Sequence, residues 1–370
     1  MALLAFPRTP GDTSGRESSP PGRPADRPPY LTVVTIFHDR LQFLPEAIGS
    51  VLAQVPDETV EVIVVGPDRP ESISAWVEGG SVRFVPCAEQ SLGAKVSSGI
   101  DAAHGEVIAF LEDDDTFAPS KVAALLREFA LNPRLGYFQN GFDLIDARGE
   151  SYRGRYVRRP AMRRWDRLGR IGIPAGARPR ELRVLALIPS GHSLSSIAVR
   201  RTLVAGQVGL IRQVGYAIDN SLFAIALVAR NIDLVFDPTP LSHLRVHDTL
   251  SNPQKPETLT VLTQLAWDGR HALLRFVNSS GSPDLARVWQ GLTAASDFIH
   301  FLKTGTTSRR TFAETLLASL ARWDTFGVQS RWPFVALGAL STLSPKLGRA
   351  TYLALRDASA AVDAPLRARP

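Results

Sequence analysis

Apolar runs and segments with helical spacing alternate along residues 30–111. The run 30–37 (YLTVVTIF) is apolar and β-branched, as is the run 60–65 (VEVIVV), and each is followed by Gly, Pro or charged residues. After each run, apolar side chains recur every three or four positions. The pattern predicts strands at 30–37, 60–65, 81–85 and 106–111, and helices at 41–54, 72–78 and 92–103. Since this alternation is typical of βαβ units, we expect an α/β fold with a mostly parallel central sheet flanked by helices.

The mixed pattern continues to about position 253 and then becomes purely helical. It predicts further strands at 135–142, 195–199 and 232–236, and helices at 119–129, 201–208 and 220–230. Beyond Pro253 it predicts helices at 258–276, 284–302, 310–323 and 332–356. Residues 1–29 are rich in Pro, Gly, Ser and Arg and contain almost no apolar run, which predicts a disordered tail. We therefore expect a tail at 1–29, an α/β domain at 30–253 and a helical carboxyl-terminal region at 254–370.

The full chain has a formal net charge of +6. Its positive charge is concentrated in one segment. The arginines of this part are Arg153, Arg155, Arg158, Arg159, Arg163, Arg164, Arg167, Arg170, Arg178, Arg180 and Arg183. Interspersed Gly and Pro residues predict an irregular insertion or mobile loop over 151–190. Three interpretations stay open: a solvated loop, a binder of a phosphate-bearing acceptor, or an anchor to an anionic membrane surface. No nucleic-acid recognition fold accompanies the charge, so we expect no nucleic-acid partner.

The remaining composition bounds the class of protein. Cys87 is the single cysteine, which excludes an internal disulfide and a four-cysteine zinc site. The tail lacks the apolar core of a secretory signal, and no run reaches the roughly 18 to 20 apolar residues of a membrane span. We expect a cytoplasmic protein, with peripheral membrane contact through the arginines or the carboxyl-terminal helices left open.

Four consecutive carboxylates, Glu112 to Asp115, directly follow the predicted strand 106–111. Adjacent carboxylates repel one another, and a divalent cation among them removes that repulsion. A solvated acidic turn is the other interpretation. Because ligands of parallel α/β sheets bind at the carboxyl ends of strands, the position of these four residues favours the metal site.

Several motifs, in order, resemble the family 2 glycosyltransferases. The segments that carry the resemblance are 33–40 (VVTIFHDR), 43–54 (FLPEAIGSVLAQ), 91–95 (SLGAK) with Gly99, Ile100, Ala103, Gly105 and Glu106, 110–115 (FLEDDD) with Pro119, Asp219, and 245–247 (RVH) with Ser251. The resemblance implies a GT-A fold, which is Rossmann-like, and an inverting glycosyl transfer from a nucleotide-diphosphate sugar, with UDP as the expected nucleotide. It also implies Mn²⁺ or Mg²⁺ as cofactor.

The resemblance assigns roles to individual residues. Asp114 and His247 would bind the metal, Asp113 would face the ribose, and Asp219 would be the general base. Donor contacts are implied for Thr35, Phe37, Asp39, Asp68, Lys95, Asp113 and Arg245. Asp219 could instead only cap the helix that follows it; the two roles are compatible, and the base is favoured. Lys95 could instead be a solvated lysine, and His192, Ser193 and Ser196 could form either an acceptor-side segment or a plain Ser/Gly turn.

The sequence departs from the family pattern at four places. Glu112 replaces the first Asp of the DxD motif, and Gly66-Pro67-Asp68 replaces the adjacent acids that end the second strand. Val96-Ser97 replaces an Arg-Asn pair, and Ile218 replaces an acid before Asp219. We expect transfer of a sugar to a hydroxyl of a glycan, lipid carrier or small molecule. The departures keep a second hypothesis open: a sugar-nucleotide-binding or scaffold subunit with weak or no turnover. A nucleotidyltransferase would need a Gly-rich loop after the first strand, which His38-Asp39-Arg40 is not.

Overall fold

The computed structural model describes residues 30–38, 40–55, 59–153, 159–177, 181–215, 218–246, 256–287, 289–290 and 331–354, with a few positions between 300 and 317. The predicted tail at 1–29 lies outside the described residues. The strands are β1 Leu31–Ile36, β2 Val60–Gly66, β3 Arg83–Pro86, β4 Val107–Glu112, β5 Thr116–Phe117, β6 Leu135–Ile145, β7 Ile171–Ile173, β8 Ile197–Arg200 and β9 Asp233–Arg245. The α-helices are α1 Leu44–Leu52, α2 Ser74–Glu78, α3 Leu92–Ala102, α4 Lys121–Leu131, α5 Arg159–Leu168, α6 Arg201–Val204, α7 Val208–Gln213, α8 Ile218–Val228, α9 Pro256–Ser279 and α10 Arg331–Leu343. Short 3₁₀ turns cover Glu71–Ile73, Glu181–Leu187, Leu194–Ser196 and Ala205–Gln207.

The nine strands form one mixed sheet in the order β3-β2-β1-β4-β8-β6-β9-β5, with β7 paired to β9. The half β3-β2-β1-β4 is parallel, and β8 joins it by antiparallel pairing to β4. The sheet continues through parallel pairing of β6 with β9. The structure confirms the predicted α/β class with a central sheet flanked by helices, and the parallel pairing of its first four strands.

Strand β1 shows why the apolar runs lack alternation. All six of its residues are buried. Leu31 and Val33 face a core shared with α1 and α4, while Val34 and Ile36 face a second core shared with α3, α7 and α8. A strand covered on both faces by helices needs apolar side chains at every position, which is why the sequence pattern predicted it well.

The carboxyl-terminal region begins with a helix that packs into the core of the α/β domain. Leu273 and Val277 of α9 belong to the core cluster that contains α3 and α8. Trp289 joins the same cluster, and its ring lies 6.2 Å from that of Phe223. Among the described residues no helix combines the length and the hydrophobicity that crossing a bilayer requires.

The arginine-rich segment contains regular structure, so the expectation of an irregular loop is wrong in part. Helix α5 spans Arg159–Leu168, and β7 adds Ile171–Ile173 to the edge of β9. The arginines form the polar side of an amphipathic helix, because Trp165 is buried while Arg163 and Arg167 are exposed. Arginine is also a good helix former. Arg170, which follows the end of α5, pairs with Glu128 at 2.5 Å and Asp237 at 2.7 Å.

Two helical glycines provide a matched test of this packing. A Cβ on Gly93 of α3 would lie 2.3 Å from the carbonyl oxygen of Val214 and 2.4 Å from that of Ile211, whereas one on Gly49 of α1 meets nothing within 4 Å. We expect Gly93→Ala to lower the free energy of unfolding by about 1–3 kcal/mol, since backbone must move. Gly49→Ala should instead raise it by roughly 0.5–1 kcal/mol. Urea denaturation of both variants measures this, and equal effects would contradict the close approach of α3 to α7.

Candidate functional site

The carboxylates Glu112 to Asp115, called here the acidic loop, lie at the carboxyl end of β4, next to the end of β1. Asp113 accepts a hydrogen bond from the backbone N–H of His38 at 2.8 Å. Nη1 of Arg40 lies 3.1 Å from Oδ1 of Asp113 and 2.9 Å from Oδ2 of Asp114. The loop that follows β1 therefore holds two side chains of the acidic loop toward one cationic nitrogen.

The carboxylates of the acidic loop lie close together and are largely buried, which disfavours their ionised forms. Burial and the charges of Asp115 and Asp114 raise the pKa of Glu112 well above its ordinary value. Burial, with the charge of Asp114, raises the pKa of Asp115 to about 8. Burial also raises the pKa of Asp113, although Arg40 opposes the shift. The site is therefore one where an added cation stabilises the ionised carboxylates.

Two buried basic side chains, Arg245 and Lys121, lie beside the acidic loop. Arg245 donates from its backbone N–H to Oδ1 of Asp115 at 2.9 Å and from Nε to the carbonyl oxygen of Asp114 at 2.8 Å. Its Nη2 reaches Glu46 at 2.6 Å. Lys121 is fully buried and donates to the carbonyl oxygen of Ser195 at 2.5 Å and to Oγ of Ser242 at 2.8 Å. These bonds hold the backbone of Asp114 and of Ser195 in place.

Asp219 lies across from the acidic loop, in the first turn of α8. Its Oδ1 accepts the N–H of Asn220 at 2.9 Å, and its Oδ2 accepts the N–H of Ser193 at 3.0 Å. Burial is the main cause of the raised pKa of Glu112, and the charge of Asp219 contributes to it, so the two carboxylates lie within electrostatic range of each other. The segment 193–195 joins both sides, because Oγ of Ser195 accepts the N–H of Glu112 at 3.0 Å.

The structure brings some of the predicted donor residues to this edge and not others. Thr35 and Phe37 lie at the end of β1, both buried, and Oγ1 of Thr35 has no hydrogen-bond partner among the described residues. The side chains of Lys95 and Arg245 are buried rather than exposed at this edge. Nζ of Lys95 is enclosed, 3.1 Å from the carbonyl oxygen of Phe37 and 3.0 Å from Nδ1 of His38, so the alternative of a solvated lysine is wrong. Asp39 and His247 lie outside the described residues.

The end of β2 shows a physical reason for one departure from the family pattern. The ring of Phe37 lies so close to Gly66 that a Cβ there would be 2.4 Å from Cδ1 of Phe37. An acidic side chain therefore does not fit at this position. The next acid, Asp68, is exposed just beyond the strand end.

The donor set fits a hard divalent cation. Two carboxylate oxygens, from Asp113 and Asp114, already converge within 3.1 Å of one cationic nitrogen. Oxygen ligands suit Mg²⁺ and Mn²⁺, which bind through one or two carboxylates and complete their shell with water and substrate phosphates. Over the described part of the chain, no group of three or more His, Cys, Asp or Glu side chains forms a metal cage. The residues thus fit a cation shared with a phosphorylated ligand.

Sequence reasoning missed Arg40, Lys121 and Gln139. Arg40 stands within the motif 33–40, but nothing in the pattern showed that it bridges two carboxylates. Lys121 and Gln139 lie in a predicted helix and strand, where periodicity describes only apolar positions. Both are fully buried. A charged or amide residue at a position that the pattern places in the core was the available signal.

Comparisons with known proteins agree with this geometry. A model described as Glycosyl transferase family 2 matches residues 32–180, which include the acidic loop and end before Asp219. An uncharacterized glycosyltransferase of Nostoc sp. is 29% identical over 122 residues, covering 31% of this chain and 37% of that protein. One from Rickettsia felis is 26% identical over 130 residues, covering 34% of this chain and 21% of that protein. The matches thus span well under half of these relatives' lengths.

Solved structures with a similar chain trace include two nucleotide-sugar complexes. Staphylococcus aureus TarS 1–349 in complex with UDP-GlcNAc has a TM-score of 0.46 and 12% identity, over 82% of this chain and 92% of that one. The mannosyltransferase PcManGT from Pyrobaculum calidifontis, in complex with GDP-Man and Mn²⁺, has a TM-score of 0.44 and 14% identity, over 87% and 89%. The match covers residues 32–180, with the acidic loop among them, and this part of the chain is a glycosyl transferase family 2 domain.

Proposed function

We propose that this protein is an inverting, metal-dependent glycosyltransferase that uses a nucleotide-diphosphate sugar, with UDP as the nucleotide. The acceptor is a hydroxyl group of a glycan, a lipid carrier or a small molecule. One observation carries the proposal: the acidic loop and Asp219 come from separate parts of the chain, and hydrogen bonds to the single segment 193–195 connect them.

The acidic loop is the donor side of the proposed site. Asp114 would hold the Mn²⁺ or Mg²⁺, with His247 as a further proposed ligand. When bound, this cation supplies Lewis-acid neutralisation of the departing diphosphate. Asp113, which accepts the His38 N–H, would face the ribose, and Asp68 would contact the base. Thr35 and Phe37 would line the nucleotide pocket.

Asp219 is the proposed general base. An acceptor hydroxyl is too weak an acid to ionise beforehand, so its proton must leave as its oxygen bonds to the anomeric carbon. The O–H bond breaks toward the Asp219 carboxylate while the bond between the anomeric carbon and the diphosphate oxygen breaks on the opposite side. Each carboxylate oxygen of Asp219 accepts a backbone N–H, which holds it in place and leaves lone pairs for the incoming proton. Attack opposite the leaving group inverts the anomeric centre.

A panel of nucleotide diphosphates tests the donor assignment. We expect UDP with Mn²⁺ to raise the melting temperature more than GDP, ADP or CDP, because a ligand that binds the folded state at 100 times its Kd stabilises it by about 2.7 kcal/mol. UDP-sugars should then be hydrolysed slowly, and transferred when an acceptor is present. Binding without hydrolysis or transfer over a broad acceptor panel would support the scaffold alternative. An absence of binding by every nucleotide diphosphate would contradict the proposal.

A further inference from the structure

A buried glutamine in β6 clamps the turn that precedes the 193–195 segment. Gln139 is fully buried, and its Nε2 donates to the carbonyl oxygens of Pro189 at 2.9 Å and His192 at 3.2 Å. Its Oε1 accepts from the N–H of Gly191 at 2.9 Å and from the hydroxyl of Tyr137 at 3.1 Å. All four hydrogen-bonding positions of the amide are used, three of them on one turn. We call Pro189–Ser193 the clamped turn.

The clamped turn has an unfavourable backbone conformation. Ser193 has φ of 65°, the one positive φ at a non-glycine residue over the described part of the chain. Gly191 also has positive φ, 61°, and a Cβ there would lie 2.9 Å from Cδ1 of Phe223. Conformations of this kind persist where the surrounding structure over-determines them, and they cluster at functional sites. The bonds from Gln139 hold this turn together with those of Ser190 to Leu185 and of Ser193 to Asp219.

The clamped turn presents two groups to Asp219. The N–H of Ser193 donates to Oδ2 at 3.0 Å, so the turn orients the carboxylate directly. Nδ1 of His192 lies 4.0 Å from the same Oδ2, and the imidazole is partly exposed, with its ring edge-on to Phe142 at a centroid distance of 5.5 Å. A separation of 4.0 Å is too long for a direct hydrogen bond. It fits one oxygen atom that lies at about 2.8 Å from both groups.

We propose that His192 binds the acceptor hydroxyl beside Asp219, and that Gln139 is the positioning residue that fixes His192 relative to Asp219. This inference rests on the proposed function, because it names the group that holds the hydroxyl whose proton Asp219 takes. The hydroxyl oxygen accepts a hydrogen bond from the Nδ1–H of His192 on one side, and the hydroxyl donates its proton to Oδ2 of Asp219 on the other. His192 thereby selects acceptors by the position of a hydroxyl rather than by charge.

The first experiment measures transfer relative to donor hydrolysis, using the UDP-sugar that the wild type turns over. This ratio is independent of the fraction of folded enzyme. His192→Phe keeps the ring beside Phe142 but removes the nitrogen, and we expect a rise of about tenfold in the acceptor KM, as for loss of one hydrogen bond near a charge, with the donor KM unchanged. Gln139→Met should lower the ratio of transfer to hydrolysis by a similar factor. An unchanged acceptor KM in His192→Phe would overturn the role of His192.

A double-mutant cycle tests whether Gln139 acts through the clamped turn. If it does, Gln139→Met in the His192→Phe background should lower transfer by much less than it does in the wild type, since coupled residues are non-additive. The matched control is Gln54→Met, which removes a glutamine that also bonds backbone, at Ser50 and Val122, away from this site. Additive effects of the two substitutions, or an equal loss of transfer in Gln54→Met, would overturn the clamp.

Amide hydrogen exchange tests the clamp without any turnover. In Gln139→Met, the amides of residues 191–193 should exchange at least about tenfold faster than in the wild type, because local opening becomes easier, while those of β1 stay unchanged. Unchanged exchange at 191–193 would refute the clamp even if activity fell. A wild type that shows this protection but no donor turnover would instead count against the proposed glycosyl transfer, so the two failures are distinguishable.

Discussion

Asp219→Asn is expected to abolish most sugar transfer while leaving donor binding intact. The amide is nearly isosteric with the carboxylate and can still accept the Ser193 N–H, but it cannot take the acceptor proton. Loss of a positioned general base lowers kcat by about 10²–10⁴-fold. Initial rates of UDP-sugar transfer measure kcat, and calorimetric titration with UDP and Mn²⁺ measures donor affinity.

The control for this substitution is Asp101→Asn, which neutralises an exposed carboxylate on α3. It changes the net charge by the same amount and should leave both quantities unchanged. Full transfer activity in Asp219→Asn would show that the base lies elsewhere. A parallel loss of UDP affinity would show that Asp219 holds the donor rather than the acceptor proton.

Asp114→Asn is expected to remove most of the gain in nucleotide affinity that Mn²⁺ provides. Loss of a residue that only orients a metal ligand lowers metal affinity by about 10–100-fold, so loss of the proposed ligand should do at least as much. Titration of UDP with and without Mn²⁺, for the wild type and the variant, gives the metal-dependent part of the affinity. Chelation of the metal should reduce wild-type UDP affinity to the level of the variant.

Arg40 gives the metal prediction a second readout. Its guanidinium is 2.9 Å from Asp114 and has to share or yield that oxygen when a divalent cation binds. Arg40→Gln should therefore change the Mn²⁺ concentration needed for half-maximal UDP binding, whereas Arg69→Gln, which removes an exposed arginine beyond β2, should not. Equal UDP affinity and transfer rates with and without Mn²⁺ in the wild type would remove the metal from the mechanism.

The sequence predicted the first half of the sheet because its strands are covered on both faces. In β1, β2 and β4 nearly every position is apolar, so each run stands out from the helices between them. Strand β9 was less visible. Only its start, 232–236, was predicted, whereas the strand continues to Arg245 through polar residues and two prolines, Pro238 and Pro240. Helix α5 was missed because dense Arg, Gly and Pro were taken to indicate a loop.

The carboxylates of the candidate site were predictable, because a cluster of such residues after a strand indicates a metal site. The acidic loop was predicted from four carboxylates that follow a predicted strand, and Asp219 from the family resemblance; in the structure the segment 193–195 bonds to both. The bonding partners of Gln139, Lys95, Lys121 and Arg245 were not predictable, since they lie far from these residues in the sequence. The roles of Asp114, Asp219, Asp39 and His247 stay predictions.

The arginines beside the acidic loop have a consequence for how metal supply would act on this protein. Arg40 pairs with Asp113 and Asp114, and Arg245 donates to Asp115 and to the carbonyl oxygen of Asp114, so the protein itself supplies bonds that hold the loop in shape. Under the proposed function, the ion would enter and leave with the nucleotide, as a co-substrate rather than a structural component. Cellular scarcity of manganese or magnesium would then slow turnover and leave the amount of folded protein unchanged.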